Sequence, residues 1–211
     1  MRGPALLVLC MACEAPDAST ETDLGTETPA RTIGACSPMR PGTAPPANAA
    51  ELEALMLEVR RELFPQLTTV PLALVELDSE TDYFQANLDF GTVGESPMER
   101  DYRVLYNPQL FDNGPSQPAI AAILAHELTH ILDYTEMESP ELVEFGIWYA
   151  TGDTAEYERQ TDESALWLGC ADGLIDYRVW LYDNIPADAV EDKERTYFTP
   201  DQIREWVAAR S

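Results

Sequence analysis

The stretch from Ser116 to Ile131 constrains this chain more than any other. Ser116 and Pro118 form a helix start, and Ile120, Ile123, Leu124, Leu128 and Ile131 follow at helical spacing. Within that helix stand His126, Glu127, Leu128, Thr129 and His130. Histidines four residues apart lie on one face, so their imidazoles can converge on a single cation. They are the only two histidines in the chain. A helix with such an apolar side belongs in a core and not on a solvated face.

Zinc accepts imidazole nitrogen well, and a carboxylate beside the pair, Glu127, can take a proton from a water that attacks a carbonyl. A catalytic zinc site needs a third protein ligand, and three carboxylates compete for that place. Glu158 stands in the string ERQTDESA, which puts Glu158, Asp162 and Ala165 on one helix face. Asp162 is then placed to hold an imidazole by its second nitrogen. The alternatives for this pair are a solvated helix glutamate and an aspartate paired with Arg159. Glu136 follows His130 by six residues, where the metzincin arrangement places its third ligand, but that arrangement has a glycine to turn the chain where this one has Asp133. Asp133 itself falls two turns beyond His126, roughly 10 Å along the axis, too far to share its ion.

The HExxH pair with a downstream ExxxDxxA, here Glu158, Asp162 and Ala165, resembles the gluzincin metallopeptidases over roughly residues 102–168. The resemblance implies Glu158 as third zinc ligand, Asp162 as the residue that orients a ligand, and Glu127 as general base. It also implies a zincin-like sheet whose edge strand lines the substrate cleft. One zinc per chain and a polypeptide substrate follow from it, with internal cleavage favoured over trimming. Two other functions stay open: a binding module that keeps the metal without catalysis, and a zinc hydrolase of non-peptide bonds. A donor to the developing oxyanion must be a tyrosine, an arginine or a backbone amide, and Tyr157, Tyr177 and Arg178 are the candidates.

Met1 and Arg2 lead into the apolar run Ala5–Ala12, too short to span a bilayer, which reads as a signal peptide over residues 1–12. Its end, CMAC, looks like a bacterial lipobox, with Cys13 as the lipidated residue and Cys10 where leucine is usual. The expectation is an exported lipoprotein facing the periplasm or cell exterior, held to the membrane through its lipid alone. Residues 13–48 are rich in Thr, Pro, Ala and acidic groups and read as a linker. Cys36 and Cys170 then remain as a possible disulfide pair. The formal charge of −25 repels phosphate backbones, so nucleic acid is not an expected partner.

The folded part is expected over residues 49–211 as an α+β domain. Leu52, Leu55, Met56, Val59 and Leu63 open it as an amphipathic helix stopped by Pro65. Leu72–Leu77, Tyr83–Phe90 and Arg103–Tyr106 read as strands of a small, mostly antiparallel sheet packed on the HExxH helix. The C-terminal part is predicted helical: Pro140–Ala150, a segment from Asp153 to about Cys170 with a capping box between Asp153 and Glu156, Leu174–Tyr182, and a last helix from Thr199 and Pro200 to about Ala209. Trp148, Tyr149, Trp167, Trp180 and Trp206 are read as packing residues.

Overall fold

The computed structural model describes Cys36 and residues 44–210, which belong to one unit running Thr32–Ser211. The signal peptide expected over 1–12, the lipidation expected at Cys13 and nearly all of the expected linker lie outside the described residues. The first helix, α1, spans Ala49–Leu63 and is capped by Asn48, whose side chain accepts the Glu51 N–H. Its buried face is the predicted one, Leu52, Leu55, Met56 and Val59. Three strands follow, β1 (Leu72–Glu76), β2 (Phe84–Leu88) and β3 (Tyr102–Tyr106).

The strands form one sheet in the order β1-β3-β2, with β1 parallel and β2 antiparallel to β3. The sheet is therefore mixed, not mostly antiparallel. The chain leaves β1 and places β2 one strand further out, and β3 then returns between them, so β1 and β3 point the same way. β2 becomes an edge. Phe84, Ala86 and Leu88 of β2 and Tyr102, Val104 and Tyr106 of β3 alternate onto the buried face.

A short helix α2 (Leu110–Asn113) precedes the central helix α3 (Gln117–Glu136). Ser116 caps α3 by accepting the Ala119 N–H, with proline in the first turn as expected. α3 is not amphipathic in place. Every residue from Ala119 to Ile131 is buried, because α1, α5, α6 and β2 surround it. Small residues permit that approach; a Cβ on Gly173 of α6 would meet the Pro118 carbonyl oxygen at 2.4 Å. The far end of α3 is closed by Arg100, fully buried, whose guanidinium donates to the carbonyls of Tyr134 and Met137.

Helices α4 (Ser139–Thr151), α5 (Ala155–Trp167), α6 (Ala171–Asn184), α7 (Ala187–Thr196) and α8 (Pro200–Ala208) complete the unit. Thr199 and Gln202 form the capping box of α8, but α5 starts one residue after Thr154, and Asp153 caps only the Ala155 N–H. No box joins Asp153 and Glu156, since Asp153 sits outside the cap position that reaches the third helical amide. α7 has no fully buried residue, which is why no apolar stripe announced it. Of the aromatics read as packing, Trp206 is buried, whereas Trp148 and Trp167 are 41% and 49% exposed. Cys36 and Cys170 form a disulfide across 134 residues, and the Cys36 N–H donates to the Gly169 carbonyl. Among the described residues no helix is long and apolar enough to cross a membrane.

Candidate metal centre

The middle of α3 is buried in all directions, so its polar side chains must be satisfied by what the neighbouring elements bring. α5 runs alongside and supplies two carboxylates. Glu158 places Oε2 at 3.2 Å from His126 Nε2 and 3.3 Å from His130 Nε2, and the two Nε2 atoms are 3.1 Å apart. All three residues are at most 4% exposed. His126, His130 and Glu158 thus lie close enough to bind a metal ion, and they are the only such trio among the described residues.

The donor geometry can be compared with what zinc requires. Tetrahedral ligands at about 2.05 Å from zinc stand roughly 3.3 Å from one another. The observed spacings of 3.1, 3.2 and 3.3 Å match that triangle. The proton arrangement points the same way. Tyr157 donates its hydroxyl to Asp133 Oδ2 at 3.0 Å and lies 3.0 Å from His130 Nδ1. The oxygen of Tyr157 is then free to accept from His130 Nδ1–H, which leaves Nε2 as a bare lone pair. His126 Nδ1 lies 2.8 Å from Asp162 Oδ1, a charge-assisted distance. Its proton belongs on that side too.

Two imidazole Nε2 atoms and a buried carboxylate oxygen therefore face one another in the protein interior. Such an arrangement repels itself unless a cation lies among them. The field is strong enough to show on the ligands. Burial alone would lower the pKa of His126, but Asp162 and Glu158 outweigh it and push it up to about 10. Burial would raise Glu158, but both histidines hold it well below the usual carboxylate range. A metal ion would take the place that the proton otherwise fills.

The surrounding contacts fix each donor. Tyr149 of α4 donates to Glu158 Oε1 at 2.5 Å. Asp162, fully buried, also accepts from Arg178 at 2.9 Å through Oδ1 and from the Phe198 N–H at 2.9 Å through Oδ2. Arg178 in turn stacks 4.4 Å over the Tyr197 ring. Glu127 projects towards the sheet, where its Oε2 accepts the Ala86 N–H of the edge strand at 2.6 Å. Desolvation raises its pKa, and Glu158 adds to this, while the two imidazoles and the Ala86 amide pull it back.

A cavity of about 130 Å³ opens on this cluster, lined by Phe84, Ala86, Glu127, His130, Tyr149 and Tyr197. Two of the three sequence candidates for an oxyanion donor are engaged elsewhere. Tyr157 is committed to His130 and Asp133, and Arg178 is ion-paired with Asp162. Tyr177 is buried against Phe84 and Trp180 and lines an adjoining space with His126, Glu127 and Tyr197. Glu136 is exposed at the end of α3. Asp133 reaches the site only through Tyr157.

Two residues without any motif join the site. Tyr149 had looked like packing, and Tyr197 arrives from the segment after α7, its ring 5.9 Å from that of His126. Burial and the nearby Glu158 carboxylate keep the Tyr197 hydroxyl protonated. No protein-family model, no curated protein and no solved structure matches the chain.

Proposed function

We propose that this protein is a zinc-dependent peptidase of the gluzincin type, with His126, His130 and Glu158 as metal ligands. The observation that carries this reading is the convergence of two imidazole nitrogens and one carboxylate oxygen beside a second acid, Glu127, at the free edge of a sheet. Zinc bound there would polarise a carbonyl as a Lewis acid and make a neighbouring water acidic.

The chain's own residues supply the rest. Glu127, raised above an ordinary glutamate by burial, takes the proton of the attacking water and returns it to the leaving amine. Tyr197, neutral and lining the same cavity, donates to the oxyanion as it forms. Asp162, and Tyr157 with Asp133, hold the two imidazoles in the tautomer that binds metal. β2 offers a main-chain edge along which an extended peptide can lie, and its antiparallel place in the sheet suits a zincin-like cleft. The Cys36–Cys170 disulfide accords with export to an oxidising compartment, as does the lipobox-like CMAC that precedes the domain.

Glu127→Gln tests the reading. The zinc-loaded variant should bind metal as the parent chain does while hydrolysis of a peptide panel falls by about 10²–10⁴-fold. Equal cleavage by both chains, or hydrolysis of esters with none of peptides, would displace it.

A further inference from the structure

Beside the cluster lies a second cavity, of about 220 Å³, between the outer half of β2 and one face of α4. It shares Gln85, Ala86, Tyr134 and Tyr149 with the space over the metal donors, so the two adjoin along β2. Its character differs. Leu88, Phe90, Leu142 and Phe145 line it, and no charged side chain does, in a chain of which 24% is charged. Phe90 stands at the rim, 70% exposed.

An apolar cavity near 150 Å³ holds a benzene-sized group, so this one accepts a phenyl, indole or long aliphatic side chain. The floor is kept open by Gly146, in the middle of α4, where an added Cβ would meet nothing within 4 Å. Glycine is a poor interior helix residue, and any larger side chain there would project into the cavity. We infer that this cavity, with Gly146 as its floor, is the specificity subsite of the cleft. It takes a large apolar side chain of an extended peptide laid along β2, within two residues of the bond that is cut. The inference rests on the peptidase reading for its reaction, though not for its binding.

The test uses the full chain loaded with zinc and a peptide library whose cleavage sites are mapped by mass spectrometry. Phe, Tyr, Trp, Leu or Met should be enriched at one position beside the cut, with Phe favoured over Ala by about 10–100-fold there. Gly146→Leu should lower that ratio at least tenfold, and Gly146→Ala, which a helix welcomes, by less. Circular dichroism and zinc content confirm that each variant is folded. Cleavage without such enrichment, or a ratio that neither variant moves, overturns the subsite and leaves the peptidase standing.

If the parent chain cuts no peptide, the peptidase reading fails and binding decides the subsite. A hexapeptide with a central Phe should then bind at least tenfold tighter than its Ala counterpart by calorimetry, and lose that advantage in Gly146→Leu. Equal binding of the two peptides overturns it.

Discussion

Replacing Asp162 by asparagine removes one charge from a buried network and almost none of its volume. Two consequences follow from the contacts. First, Arg178, 2% exposed, loses its carboxylate partner at 2.9 Å and becomes an uncompensated buried charge. Breaking a buried pair in this way costs about 3–5 kcal/mol. Second, His126 Nδ1 loses the anion 2.8 Å away that holds its proton and its orientation. Loss of such a partner weakens metal binding by about 10–100-fold, or about 1.4–2.8 kcal/mol.

The two effects separate in the double variant Asp162→Asn with Arg178→Met, which removes both charges and should recover most of the stability. Zinc affinity should stay weak in it, because nothing has been returned to His126. Urea unfolding of the metal-free chain reads the first effect, and titration against a competing chelator reads the second. Full zinc affinity in Asp162→Asn, or its recovery in the double variant, would refute the role given to Asp162 and leave it a purely structural counter-charge.

The other predictions concern the cleft and the staple. Tyr197→Phe should lower kcat by about 10²–10³-fold with little change in KM, since the hydroxyl acts only on the developing oxyanion; a change confined to KM would assign it to ground-state binding. Removing the Cys36–Cys170 disulfide with paired alanines should cost about 3–5 kcal/mol by urea unfolding, as the closed loop of 134 residues is long. A loss below about 1 kcal/mol would show that the cross-link restrains the unfolded chain little.

Much of the site was legible because its chemistry is local. His126, Glu127 and His130 share one helical face, and Glu158, Asp162 and Ala165 share another, so each spacing carries its own geometry. The starts of α1, α3 and α8 were legible for the same reason, through caps and apolar spacing. What escaped depends on contacts far apart in sequence. The direction of β1 against β3 is set by the path of the chain between them and not by the strands' own residues. Tyr197 reaches His126 from 71 residues away, and Tyr149 reaches Glu158 from a helix whose exposed Ile147 and Trp148 disguise its inner face. α7 left no trace because it buries no stripe.

The most direct test of the central claim is the metal content of the full chain after dialysis against zinc, measured beside Glu158→Ala. One zinc per chain, held at least 100-fold more weakly in the variant, is the result this account predicts. A parent chain that retains no zinc, or a variant that holds it equally well, would contradict the metal centre and the peptidase built on it.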